Sequence, residues 1–313
     1  MVLSRRSAFS ALAAGVAAFA SSCGGSTTAV VSSHLIAFSS DRALPPTSEA
    51  ADFDTRRLDL YLMNVDGSHL ERLTRNALTD VFPAVSRDGR RVAFTRDIDG
   101  YAQVFVLDLR DRKVRMLTHA RANSGLPAWS PDGSLIAFAT DRNAPGGDVI
   151  YVMNADGSGQ RPVTHNLPRV DDAWPSWSPD GKRLVFARET GAGSAIYTVG
   201  LSGDGVKRLT LDTYALDTQP AWSPDGKEIA FESDLFMLPG QIFAMRPDGT
   251  QRHQLTDPTR GASSRPSWSS DGTLIVFMAS RDHHTDVWVM HADGSRQVQL
   301  TRNHGFAGFP GAA

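Results

Sequence analysis

The amino-acid sequence predicts an all-β fold, a six-bladed β-propeller of four-stranded antiparallel blades, from a repeated phrase, its spacing and its hydrophobic periodicity. The phrase Pro-Ala-Trp-Ser-Pro-Asp-Gly occupies residues 127–133 and again 220–226, with variants beginning at Pro83, Pro175 and Pro266. Its closing glycines, Gly89, Gly133, Gly181, Gly226 and Gly272, lie 44, 48, 45 and 46 residues apart. A second marker, a threonine after Leu or Val, falls at Thr74, Thr118, Thr164, Thr210, Thr256 and Thr301, at intervals of 44 to 46. One supersecondary unit returning every ~45 residues is the mark of a propeller.

Each unit carries four strand signals. The first is the stretch around Pro-x-Trp-Ser. Ser-Pro-Asp-Gly then fits a type I turn, with Pro fixing φ at the second place and Gly closing the turn. The second strand alternates and holds one phenylalanine per unit: Phe38, Phe94, Phe138, Phe186, Phe231 and Phe277. The third places an aromatic at Tyr61, Phe105, Tyr151, Tyr197, Phe243 and Trp288, and an Asp-Gly hairpin turn usually follows. The fourth is the short run ending in threonine. A lone sheet of this kind would expose both faces, so the sheets must stack around an axis and bury these aromatics between neighbours.

Closure follows from the two ends of the repeat. The first unit opens at His34-Leu35-Ile36-Ala37-Phe38, a second strand lacking its first. Phe309-Pro310 aligns with Phe82-Pro83. The C-terminal segment is therefore expected to supply the innermost strand of the first blade.

Composition limits the function classes. The 313 residues are 41% hydrophobic and 21% charged, a globular balance rather than a disordered one. With 32 basic against 34 acidic residues the net charge is −2, which argues against nucleic-acid binding by phosphate neutralisation. A single cysteine excludes an intramolecular disulfide and any multi-cysteine zinc site.

The N-terminus reads as an address. Arg5 and Arg6 precede an uncharged run from Ala8 to Ala20. As a helix that run covers about 20 Å, short of the ~20 residues that span a bilayer. Residues 1–22 are therefore expected to be a secretory signal. Ser4-Arg5-Arg6-Ser7-Ala8-Phe9 resembles a twin-arginine motif, and ordinary secretion is the alternative. Cys23, after Ala20-Ser21-Ser22, resembles the lipobox cysteine of bacterial lipoproteins, which implies lipidation there. A plain signal peptide with an incidental Cys23 is the other reading. Residues 23–33 become a flexible tether and 34–313 the propeller. The protein then faces a periplasm or cell surface and meets the membrane only through a lipid anchor.

The Trp-Ser-Pro-Asp-Gly phrase, with its partners Ile136-Ala137-Phe138 and Ile150-Tyr151-Val152-Met153-Asn154-Ala155-Asp156-Gly157, resembles the WD40-like propeller of the TolB family. The resemblance spans roughly 34–313, with departures at Val85, Arg87 and Ser270. It implies a non-catalytic, exported binding module for a protein of the cell envelope, with a peptidoglycan-associated lipoprotein as the type of partner.

In an up-and-down blade the turns after strands one and three share one face and hardly vary. The loops after strands two and four share the other face and vary freely, so binding residues are expected there and at the channel mouth. Asp80, Asp172 and Asp217 stand before the inner strands, with Phe82, Trp174 and Arg265 beside their prolines. Arg142, Asp282 and His283 come from the loops after second strands. Together these suit a basic protein segment, a sugar or a cation. Each has a plainer role: aspartates that hold their own loops, a solvated His283, and a Trp174 that packs.

No Gly-x-Ser-x-Gly or His-Glu-x-x-His motif occurs, so no catalytic residue is singled out. No cofactor is called for, and a cation at the channel mouth stays open. The competing reading is a propeller enzyme, a metal-dependent hydrolase or lyase on a sugar or lactone, with its site at that mouth.

Overall fold

A computed structural model describes residues 16–21, 33–41, 58–143, 147–165, 169–211, 215–235, 238–282, 284–302, 306–308 and 311–312. These residues form an all-β propeller whose strands run as antiparallel meanders. Three sheets are four-stranded: Asp80–Val85 to Val114–Met116, Ser124–Trp129 to Arg161–Pro162, and Ala262–Trp268 to Val298–Gln299.

Six separate four-stranded blades are not what forms. The strands make five hydrogen-bonded sheets, one of them eight-stranded and one six-stranded. The eight-stranded sheet joins two sequence units through a parallel pair, Ser194 with Leu216. The fourth strand Lys207–Arg208 covers only Tyr197 and Thr198 of Gly193–Gly200, as the short fourth strands of other units do, but here the inner strand Ala215–Trp222 begins two residues ahead of Asp217 and Leu216 reaches the open edge. The rest of that edge is open to pairing, and the Ser194 hydroxyl adds a bond to the Asp217 carbonyl at 2.5 Å.

The expected closure needs the same correction. The strand paired along Ser33–Ser40 is Val16–Ser21, through six antiparallel pairs from Val16–Phe38 to Ser21–Ser33. The C-terminal segment contributes only Ala307–Gly308 against Ser39 and Ser40, and Gly311–Ala312 in parallel with Ala17 and Ala18. An unpaired edge takes the longest complementary strand within reach, and Val16–Ser21 offers more ladder bonds than the tail. Phe306 still ties the tail to the first unit, donating from its N–H to Asp41 Oδ1 at 2.8 Å. Its carbonyl accepts from the Ser40 hydroxyl, also at 2.8 Å.

The core lies between neighbouring units. Phe38, Phe94, Phe138, Phe186, Phe231 and Phe277 are all fully buried. Each pairs across the ladder with the aromatic of its third strand, as in Phe94–Phe105 and Phe277–Trp288. The last unit packs on the first, with Val276, Val287 and Val289 against Ile36, Phe38 and Tyr61.

The repeated letters of the sequence correspond to repeated bonds. Each marker threonine accepts, through Oγ1, the N–H of a third-strand residue fourteen positions earlier, from Leu60 to Thr74 at 2.9 Å through Val287 to Thr301 at 3.0 Å. The phrase tryptophans Trp129, Trp177 and Trp268 donate from Nε1 to the carbonyls of Ala84, Ala128 and Ala221, 3.0–3.1 Å away in the preceding unit. In each Ser-x-Asp-Gly turn the serine hydroxyl donates to the aspartate, as from Ser130 to Asp132 at 2.6 Å. That bond holds the Asp132 carboxyl below its usual range, helped by the Ser134 N–H.

Candidate functional site

Five inner strands face the axis: Asp80–Val85, Ser124–Trp129, Asp171–Trp177, Ala215–Trp222 and Ala262–Trp268. Each breaks register with its neighbour just where its proline stands, since proline has no N–H to give the ladder. The residue before each proline takes a left-handed conformation: Phe82, Leu126, Trp174, Gln219 and Arg265 have φ between 53° and 58°. For a non-glycine side chain this geometry costs about 1–3 kcal/mol, and such strain gathers where side chains must be aimed. All five line one central cavity of about 130 Å³.

That cavity extends from this ring toward the turns that follow the inner strands, where Arg87, Pro131, Pro179, Pro224 and Ser270 complete its lining. Its walls are mainly the phrase prolines and tryptophans. At the ring, Phe82 and Trp174 meet edge to face, with centroids 5.4 Å apart. The Arg265 guanidinium lies 5.0 Å from the Phe82 ring centre and 4.3 Å from that of Trp174, and the residue is 7% exposed. Burial lowers its pKa toward about 9, opposed by Glu232. A guanidinium keeps its proton at neutral pH regardless.

Glu232, on the strand beside Ala215–Trp222, is half-buried, with Oε2 enclosed and without a hydrogen-bond partner. Burial pushes its carboxyl up to about 7, against the pull of Arg265 and with a push from Asp234.

The structure therefore brings together Phe82, Trp174 and Arg265, three of the residues the sequence singled out. Asp80, Asp172 and Asp217 lie elsewhere. All three are fully buried and bound to arginines rather than facing a ligand. Asp80 accepts from Arg96 Nε at 2.6 Å and Nη2 at 2.9 Å, Asp172 from Arg188 at 2.6 and 2.8 Å, and Asp217 from Arg252 Nη2 at 3.3 Å. These arginines in turn stack on the aromatic pairs, as Arg188 does on Phe186 and Tyr197 at 5.5 and 5.1 Å. Donating to the Asp172 carboxylate raises the Arg188 pKa.

Arg142 plays the same part in its own unit, over Phe138 and Tyr151, and donates to Gln160 Oε1 and Ser124 Oγ. Asp282 occupies an exposed turn. His283 and Cys23 lie outside the described residues. Among the described residues no three His, Cys, Asp or Glu side chains gather as a metal group.

Leu126, Gln219 and Glu232 were not among the predicted site residues. The first two had a signal, since both occupy the position before the phrase proline. Glu232 had none. It becomes a site neighbour only because the next unit carries Arg265.

A five-fold set of bulged inner strands around one apolar cavity defines a propeller with a side-chain ring on its axis. Residues 51–172 and 166–308 match the family described as the TolB beta propeller domain, and the chain belongs to that family. It is 32% identical over 106 residues to a protein TolB homolog of Chlorobium luteolum, covering 34% of this chain and 23% of that one. It is 33% identical over 115 residues to the Tol-Pal system protein TolB of Anaeromyxobacter dehalogenans, covering 36% and 25%. The chain thus matches about a quarter of the length of these curated relatives. The crystal structure of TolB from Acinetobacter baumannii superposes with a TM-score of 0.69 at 21% identity, over 81% of this chain and 63% of that one, a likeness of fold.

Proposed function

We propose that this protein is an exported, non-catalytic binding module that engages a protein of the cell envelope through its channel ring and the adjoining loops. One observation carries the reading: five equivalent backbone positions share a φ of 53–58° while presenting Phe, Leu, Trp, Gln and Arg. A position whose backbone is fixed and whose side chain is free sets specificity rather than stability. The match to Tol-Pal system proteins makes a peptidoglycan-associated lipoprotein the first candidate partner. Residues 1–22 act as the export signal in this reading, Cys23 as the lipidation site, and 23–33 as the tether to the membrane, so that the pairing of Val16–Ser21 with Ser33–Ser40 belongs to the uncleaved chain.

The test is a pull-down from envelope extract with the double variant Trp174→Gln, Arg265→Gln. Glutamine is chosen because Gln219 already occupies the same bulge with φ 53°. The variant is expected to melt close to the parent and to lose capture of the partner. Capture at the parental level would move the interface off the ring.

A further inference from the structure

The charges on the cavity wall are of one sign. Among the described residues lining it, Arg265 and Arg87 are the charged side chains, and no carboxylate joins them. Arg265 sits at the ring, and Arg87 stands at the turn end where other units place Pro131, Pro179 and Pro224. Between them the wall is chiefly proline and tryptophan. Such a channel disfavours cations and favours an anion with an apolar body.

Two polar atoms beside the cavity are enclosed in its wall. Trp222 lines the cavity and is 5% exposed, yet its Nε1 has no hydrogen-bond partner. Its counterparts Trp129, Trp177 and Trp268 each donate to an alanine carbonyl. Three residues earlier on the same strand, Gln219 Oε1 is also unpartnered. Both atoms are shut off from the cavity, so the polar contact of a ligand there falls to the Arg265 guanidinium.

We propose that the channel binds a monocarboxylate on a compact apolar body, its carboxylate at the Arg265 guanidinium and its body against the prolines and tryptophans. The guanidinium fork matches a carboxylate in two parallel hydrogen bonds, and stacking on Phe82 and Trp174 holds the fork in place. A cavity of about 130 Å³ suits a single ring, close to the ~150 Å³ that accepts benzene in an engineered core. A dianionic phosphate fits less well because the Glu232 carboxyl lies beside Arg265.

Glu232 couples binding to protons. The charged groups around it are Arg265 on the next unit's inner strand, Asp234 on its own strand, and the Asp217–Arg252 pair on the flanking strand. A carboxylate arriving at Arg265 competes with ionised Glu232, so binding takes up a proton and weakens as pH rises through about 7.

The inference rests on the channel being a binding site, and it holds for a free small acid or for the carboxylate at a partner's chain end. The full chain is titrated calorimetrically with benzoate and with benzamide, its neutral counterpart. Benzoate is expected to bind with a Kd of about 1 mM or tighter, and benzamide about tenfold or more weaker. Arg265→Gln should erase that preference.

A second arm compares a short peptide ending in a free phenylalanine carboxylate with its C-terminal amide. Tighter binding of the peptide acid than of benzoate assigns the carboxylate to a chain end, and the reverse assigns it to a small molecule. Either outcome supports the proposal. Equal binding of acid and neutral form in both pairs, or a preference that survives Arg265→Gln, overturns it. Loss of this preference with partner capture intact would leave the envelope-binding function standing, and the converse would leave the carboxylate site standing.

Discussion

Two positions on the same inner strands behave in opposite ways. The phrase tryptophan repeats because Trp129, Trp177 and Trp268 each make the same Nε1 bond to the preceding unit and fill the same inter-unit space. The residue before the proline repeats only its backbone, with five different side chains on one φ. Identical letters mark the scaffold. Identical geometry under different letters marks the surface that can be tuned without disturbing that scaffold.

The largest effect should come from the scaffold side. Trp129 is 4% exposed, bonded to the Ala84 carbonyl and covered by the Arg91 guanidinium 4.4 Å from its ring. Trp129→Ala should lower the unfolding free energy by about 3–5 kcal/mol in urea. A loss below about 1 kcal/mol would mean that the repeated tryptophan is not structural.

An intermediate effect is expected beside the ring, and it depends on pH. The folded protein holds the Glu232 proton up to about 7, against 4.5 for a freely exposed glutamate. Below about 4.5 both states are protonated and the contribution to stability is complete. It declines as pH climbs toward 7, then levels off. Allowing for incomplete burial, Glu232→Gln should flatten the stability–pH profile between about pH 5 and about pH 8 by roughly 1–2 kcal/mol. An unchanged slope would place the titration elsewhere.

The smallest effect belongs to the ring itself. Gln219→Gly puts the residue most tolerant of positive φ into the bulge, and stability should change by less than about 1 kcal/mol. A loss comparable to that of Trp129→Ala would erase the distinction between the two positions.

Much of the architecture was legible in the sequence, for physical reasons. Phenylalanine at one place per unit reads as core because no other environment demands it so regularly, and all six are buried. The threonines read as unit ends because the fold uses their hydroxyls in place of a ladder bond. The sheet count was less legible, since the short fourth strands leave their neighbours' edges open and the merger turns on how far the next inner strand extends, as Leu216 does to Ser194.

The aspartates were misplaced at the channel mouth because they lie next to ring residues in sequence. Their partners were nonetheless within sight: Arg96 and Arg188 each follow their aspartate by sixteen positions, the span from an inner strand back along the second. The left-handed ring was hidden, because a following proline ordinarily pushes its neighbour toward extended conformations.

The central claim is that the position before the phrase proline is where this propeller meets its partner. Photo-cross-linking in intact cells tests it most directly, with a photoreactive aromatic residue at position 174 and, as a control, at position 115 on an outer strand. One defined envelope protein joined from position 174 and not from 115 is the predicted result. Cross-links from 115 with none from 174 would contradict the claim.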